Sequence, residues 1–503
     1  MRMDRRLFLG GLAALTVAPA AAGTQGQALA QAASTRTLAA SPEALRRLGE
    51  RLMRLDEDGL DPRWYGLTPG TAPDAYQIAN AAAAALTDLV QSRAGVPAGR
   101  VDIRRENDAA ALNQWFERIV EAAEPAEVIE RAALQHPDMA PLKAALAAAR
   151  ARAGNSWPRV PEVQDRILEP GATDPARVPL IRQRLALTDP AFAANPGSGP
   201  VYDEALQAAV RRFQSQAGID PTGRIGPVTI AAFNRRPHAS EAQLRAALDM
   251  RRGLATPTRE RRVEVNVPDF RLLVIEDGST VMDMAVVVGR PARATPMILT
   301  RMTSVQFNPP WGVPQRNARE DLLPRLRRDP TSLQARGFRI FQRVDGQVVE
   351  VDPTMIDWRA VNPDRFPFFI RQDAGETNAL GRLKFNMPNT DDIFLHDTPE
   401  RHLFRRTDRA YSSGCIRLAQ PMDFLMLLLD GTEGWNRERV DRTLASRQTI
   451  TASLRRQPGI RLHYNTVLVE NGVVRSRYDL YGLDDAYVRA MDARSPRPVM
   501  ARA

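Results

Sequence analysis

The hydrophobic pattern of this chain changes period near Arg262, and that change divides what it can fold into. Upstream, apolar residues recur at helical spacing, and stretches such as Asp74 to Leu89 and Ala140 to Arg152 are strong helix formers. Ser41-Pro42-Glu43 supplies a cap, a proline at the first helical position and an acid in the first turn. Downstream, Val263-Glu264-Val265-Asn266-Val267 alternates as a strand does. Asp277-Gly278 separates the runs Phe270 to Glu276 and Val281 to Val288, and Asn471-Gly472 separates Tyr464 to Glu470 from Val473 to Leu480. Both dipeptides favour two-residue hairpin turns. At 503 residues, the chain reads as an α+β multidomain protein: a helical N-terminal scaffold, a small three-helix module and a mainly β domain.

The expected boundaries follow from composition. Residues 31–167 form the helical scaffold, 168–236 the compact three-helix unit and 237–261 a connecting helix. Residues 262–483 form the β domain, and 484–503 a C-terminal tail. Within the β domain, about 309–380 is rich in Pro, Arg and Asp and weakly patterned. A stretch that long is expected to be an insertion acting as a lid. Residues 1–30 read as an address: Arg5-Arg6-Leu7-Phe8-Leu9-Gly10 opens a twin-arginine export signal. An apolar run follows, and Ala28-Leu29-Ala30 offers a cleavage site. The mature protein is thus expected in the periplasm, with no stable membrane span after cleavage.

The net charge of +10 suits polyanionic partners, but no paired Cys/His spacing, aromatic RNA-binding motif or long basic helix points to nucleic acid. Cys415 is the one cysteine. An intramolecular disulfide and a multi-cysteine metal site are therefore excluded, and no metal or cofactor is expected. A free thiol in an oxidising compartment is a liability, which draws attention to its neighbours.

Those neighbours carry chemistry. Ile393-Phe394-Leu395 is a short strand run delivering His396, and Cys415 follows nineteen residues later within Ser412-Ser413-Gly414-Cys415-Ile416-Arg417. Gly414 permits close backbone approach to the sulfur. Arg405, Arg406, Arg409 and Arg417 flank it in sequence, a setting that favours thiolate; lowering the thiol to about 6, a shift that a partly buried imidazolium and backbone donors can supply, would make it mostly thiolate. A nearby imidazole can take the thiol proton and return it to a leaving amine.

The string resembles the signature of the L,D-transpeptidases with a YkuD-type catalytic domain: a His, a spacer, then Ser/Thr-x-Gly-Cys-Ile/Val-Arg. Within that family it is most like the large periplasmic YcbB/LdtD-like subfamily. Further matches are Asn308-Pro309-Pro310-Trp311, Leu383-Lys384-Phe385-Asn386-Met387-Pro388-Asn389 and His396-Asp397-Thr398-Pro399. The 168–236 unit, with Ala209-Val210-Arg211-Arg212-Phe213-Gln214, resembles peptidoglycan-binding-like modules.

The resemblance implies that Cys415 attacks the bond between the third residue (a diamino acid) and the fourth (D-Ala) of a tetrapeptide stem. A thioester forms, and an amine of a second stem resolves it, giving a 3–3 cross-link. His396 is then the general acid/base. Gly414 and Cys415 backbone groups form an oxyanion hole, and Ser413, Arg417, Asn308 and Trp311 are candidate oxyanion or substrate contacts. Backbone carbonyls orient the catalytic His in the family, so Asp397 need not complete a triad. The implied partners are peptidoglycan stems, as donor and acceptor, with a glycan contact through 168–236, and the implied inhibitors are carbapenems. The motif leaves open an L,D-carboxypeptidase, an amine-exchange or lipoprotein-anchoring acyltransferase, and a non-catalytic wall-binding scaffold.

Overall fold

The computed structural model describes residues 40–106, 108–152, 158–161, 167–217, 219–234 and 238–494. The expected export signal at 1–30 lies outside the described residues.

The N-terminal helices begin where the sequence caps them. Ser41 accepts from the Ala44 N–H ahead of helix Pro42–Met53, and Asp74 forms a capping box with Gln77 ahead of helix Ala75–Gln91. Helices Ala109–Glu121, Pro125–Ala133 and Met139–Ala151 follow. Leu48, Leu52, Leu86, Leu89, Val128 and Ile129 are fully buried at their centre.

Two segments expected to lie outside this scaffold complete it. Helix Glu241–Met250, expected to be only a connector, contributes Ala246 and Met250 to the same core. Residues 484–494 are not a tail: helix Leu483–Ala493 inserts Tyr487, Val488 and Met491. Buried Asp249 ties the three segments together. Its carboxylate accepts from Ser92 Oγ, from the Arg93 and Ala94 N–H groups and from the Tyr487 hydroxyl. With so many donors and Arg252 beside it, the carboxyl is held below its ordinary range despite burial. A hydrophobic pattern reports that a helix has an apolar face, not which distant segment covers it.

The small module packs helices Val178–Ala186, Glu204–Gln216 and Pro227–Asn234, with the short Pro190–Ala193 between. Val178, Ile181, Leu206, Val210 and Phe233 form its core, and Phe213 stacks on Phe233. Gly223 takes a φ of +74° at the turn before the last helix.

The C-terminal domain is a mixed sheet. Its strands are β1 (Arg262–Asn266), β2 (Arg271–Glu276), β3 (Ser279–Gly289), β4 (Ile298–Arg301) and β5 (Ser304–Phe307). After an insertion come β10 (Leu383–Asn386), β11 (Leu395–His396), β12 (Ala410–Ser412), β13 (Ile416–Leu418), β14 (Ile450–Ser453) and β15 (Gly459–His463). The order is β14-β5-β10-β11-β13-β3-β2-β1-β15-β4, with β12 also on β3. The β2–β3 turn places Asp277 and Gly278 at positive φ, as a two-residue hairpin requires. β16 (Val467–Glu470) and β17 (Val473–Ser476) form a separate hairpin turned in the same way by Asn471-Gly472.

Helices Pro421–Leu429 and Arg437–Ala445 bury Phe424, Leu425, Leu428 and Val440 against the sheet core. Each such side chain contributes roughly 1.5–3 kcal/mol. The insertion between β5 and β10 has its own four-stranded sheet, β6 (Trp311–Gly312), β9 (Phe368–Gln372), β7 (Phe338–Val344) and β8 (Gln347–Glu350), in that order. Its separate core includes Leu326, Trp358, Phe368 and Ile370.

Candidate active site

β11 and β13 pair in parallel, with Leu395 opposite Ile416 and His396 opposite Arg417. The same register sets Phe394, the residue before β11, level with Cys415, the residue before β13, and the Ile416 N–H donates to the Phe394 carbonyl at 3.1 Å. His396 and Cys415 line one cleft of about 970 Å³ between the sheet and the insertion. Lys384, Arg417, Ser413 and Trp311 line it as well.

The nucleophile loop is held by short polar contacts. Ser412 Oγ donates to the Cys415 carbonyl at 2.6 Å and accepts from the Gly414 N–H at 3.1 Å. Gly414 has a φ of +120°, and an added Cβ would lie 3.1 Å from Ile393 Cδ1. Thr295 Oγ1 donates to the Gly414 carbonyl at 2.8 Å and accepts from the Gly289 N–H at 2.9 Å. Gly289 must lack a side chain there, because a Cβ would sit 2.3 Å from the Arg293 carbonyl oxygen. Arg293 itself is buried and donates to Ser413 Oγ at 2.8 Å and to Asp321 at 2.6 Å. It thus joins the loop to the insertion.

His396 is buried, and its Nδ1 donates to the Asp397 carbonyl at 2.5 Å. A carbonyl can only accept, so the proton sits on Nδ1 and Nε2 is left as the basic nitrogen. The Asp397 carboxylate points elsewhere: it accepts from the Arg382 and Thr398 N–H groups and pairs with Arg401. Burial, aided by the cations of Arg417 and Lys384, lowers His396 to about 3. Burial likewise raises the Cys415 thiol to about 11, against the opposing pull of the Phe394 N–H, Lys384 and Arg417. The resting pair is therefore a neutral thiol and a neutral imidazole. Both shifts run against the acidified thiol that the flanking arginines suggest in sequence. Arg405, Arg406 and Arg409 are near Cys415 in sequence but do not line its cleft. Arg409 instead binds the Val286 and Phe270 carbonyls, and Arg406 pairs with Asp220.

Other candidates separate similarly. Trp311 lines the cleft and packs edge-on against Phe338 of the insertion. Arg417 pairs with Glu400. Asn308 lies outside the cleft. It is buried at φ +45°, and its Nδ2 donates to the Thr443, Leu444 and Gln448 carbonyls. It anchors the base of the insertion rather than contacting the site. The Gly414 N–H is held by Ser412, which takes it out of the expected oxyanion hole. Arg293, Thr295, Lys384 and Ser412 escaped the sequence reading as site residues. Of these, Ser412 opens the motif around Cys415 and Lys384 is one of two lysines in the chain, whereas Arg293 and Thr295 carry no sequence signal. Among the described residues no cluster of three or more His, Cys, Asp or Glu side chains could hold a metal ion. No helix among them is long and apolar enough to cross a membrane.

Residues 260–440, which hold this sheet and cleft, match the YkuD family, the L,D-transpeptidase catalytic domain. Residues 189–233 match a family described as "Putative peptidoglycan binding domain". The chain thus has a region similar to the YkuD L,D-transpeptidase catalytic domain, preceded by one similar to peptidoglycan-binding domains. It is similar to a "Putative L,D-transpeptidase" of Haemophilus influenzae (strain ATCC 51907 / DSM 11121 / KW20 / Rd), with 36% identity over 272 residues, 54% of each chain. The chain thus spans about half the length of that curated relative. A solved L,D-transpeptidase (residues 123-326) from Xylanimonas cellulosilytica DSM 15894 aligns over 60% of this chain and all of its own. At 15% identity and a TM-score of 0.16, that likeness carries no argument.

Proposed function

We infer that the protein is a peptidoglycan L,D-transpeptidase of the cell envelope, with Cys415 as nucleophile and His396 as general acid/base. The observation that carries this reading is the shared cleft. Within the region matching the catalytic family, one cysteine and one imidazole of fixed tautomer line a cavity covered by an insertion.

The chemistry follows from the resting state. The Cys415 sulfur attacks the carbonyl joining the diamino acid to the terminal D-Ala of a tetrapeptide stem, while His396 Nε2 takes the thiol proton. The C–N bond breaks, the departing amine takes that proton, and a thioester remains. An amine of a second stem then attacks the thioester. Its proton passes to Nε2 and on to the sulfur as the C–S bond breaks, which restores the enzyme. The Cys415 N–H is the backbone donor for the oxyanion, the Gly414 N–H being held by Ser412. Arg417 faces the cleft and suits a substrate carboxylate. The insertion serves as the lid that keeps water from the thioester. The module places the enzyme on the wall, and the Arg5-Arg6 signal directs it to the periplasm.

Incubation of the protein with purified disaccharide-tetrapeptide tests this. A dimer lacking one D-Ala, made by wild type and not by Cys415→Ala, is the expected product. Tripeptide alone would replace the transpeptidase with a carboxypeptidase. No product and no carbapenem adduct by intact mass would leave only a wall-binding scaffold.

A further inference from the structure

Arginine is the default cation of this chain, with only two lysines among 69 basic residues. Lys143 has an ordinary use, pairing with Asp58 at 2.9 Å and Glu130 at 3.2 Å. Lys384 does not. It stands on β10 directly across from His396, half-buried, and lines the cleft that holds Cys415. Among the described residues no carboxylate lies within ion-pair distance of it. Its ammonium instead rests 4.2 Å from the centroid of the Phe394 ring. An aromatic face attracts a cation without neutralising it. A carboxylate in that place would cancel the charge, and an arginine would spread it over a planar fork.

The other charged groups facing the cleft are Arg293, Arg316, Arg417, Asp391, Asp392 and His396. Each of the three guanidiniums has a carboxylate partner: Asp321, Glu320 and Glu400 respectively. Lys384 is therefore the cleft cation whose charge is not offset by direct pairing. Asp392, whose carbonyl lies 3.9 Å from the sulfur, works against a negative charge there.

We propose that Lys384 is the electrostatic positioning residue of this site: its ammonium, held against Phe394, stabilises the Cys415 thiolate and disfavours a protonated His396. The first effect brings the sulfur to its reactive form. The second keeps the proton taken from sulfur from resting on the ring, so that it passes to the departing amine. The directions agree, since Lys384 pulls the Cys415 thiol down and pushes His396 down. Burial in turn pulls Lys384 below its ordinary range, so its charge is least secure at alkaline pH.

The inference rests on Cys415 reacting as a thiolate, and its test needs no peptidoglycan, so the two readings fail separately. The rate of Cys415 alkylation by iodoacetamide is measured from pH 6 to 10 on the full chain, for wild type, Lys384→Met and Lys384→Arg. Intact mass and a melting curve accompany each. Lys384→Met is expected to slow alkylation about tenfold at pH 8, one unit of thiol shift, and to move the profile to higher pH. Lys384→Arg should recover part of the rate. Identical profiles for wild type and a folded Lys384→Met would overturn the proposal, and so would a folded Lys384→Arg as slow as Lys384→Met. Should the Met variant fail to fold, Lys384→Gln repeats the measurement with the same two outcomes.

Discussion

Arg293 donates to the Ser413 hydroxyl at 2.8 Å while the same guanidinium grips Asp321 of the insertion at 2.6 Å. One buried side chain thus spans the nucleophile loop and the segment that covers it. Arg293→Met leaves Ser413 without its donor and Asp321 with only the longer 3.5 Å contact to Arg290, and a loss of about 1–3 kcal/mol is expected for charged hydrogen bonds of this kind. The insertion should open to protease at its exposed hairpin, near Asp345-Gly346, and acyl transfer should fall. A variant with wild-type resistance and wild-type rate would show that the insertion is held by its other contacts.

The neutral resting pair fixes a pH dependence. Below about 11 the Cys415 thiol is protonated in the free protein, so thiolate grows about tenfold per pH unit between pH 7 and 10. Alkylation of wild type should rise along that line. The imidazole charges only near pH 3, so no step is expected near 6.5. A plateau above pH 6 would mean that an ion pair already exists at rest.

Gly381 lies under Asp397, where an added Cβ would sit 2.4 Å from Oδ2 at a φ of +61°. Gly381→Ala must push Asp397 aside, and with it the carbonyl that orients His396. Overpacking of this kind costs roughly 1–3 kcal/mol. Activity should fall at least about tenfold, a part of the roughly 10²–10⁴-fold that general acid–base catalysis contributes. Thermal melts and acylation rates measured together separate the two effects, and an active, destabilised variant would free the imidazole from its dependence on Asp397.

Asn308→Ala tests the opposite case. Three carbonyls lose their shared donor, and destabilisation of about 1–3 kcal/mol is expected. At temperatures where the variant is folded, its acylation rate should match wild type. A selective loss of rate would return Asn308 to the site.

Asp484 lies buried beside Asp479, and its carboxyl is pushed up to about 7 by burial and by that neighbour. A carboxyl raised in the folded state contributes stability that is full below its unfolded value of about 3.8 and is lost as pH rises through about 7. Asp484→Asn should therefore melt higher than wild type at pH 8.5, and the advantage should shrink at pH 5. An equal difference at both pH values would show that the carboxyl is ionised throughout.

Much of this architecture is legible in the sequence. Asp277-Gly278 and Asn471-Gly472 announced hairpins because positive φ leaves few residue choices, and Ser41 announced a helix start because a cap satisfies a local donor. The His396 and Cys415 strings pointed to one cleft because their residue types are rare together. What stayed hidden depends on contacts across long sequence distances. Nothing near Asn308 shows that its amide faces residues 443–448, and nothing near Arg409 shows that it turns to Phe270 and Val286. The thiol's environment is hidden for the same reason: charges adjacent in sequence, such as Arg405 and Arg409, are not adjacent to it in space, and burial has no local signature.

The packing of helix Leu483–Ala493 into the first helical layer sets an order of events. Helix Glu241–Met250 packs against it, and ribosomes deliver that helix long before Tyr487, Val488 and Met491. Until then part of its apolar face stays uncovered and vulnerable to wrong partners. A stop codon shortly before Leu483 would spare every residue around Cys415 and still cripple the enzyme, from the far end of the molecule.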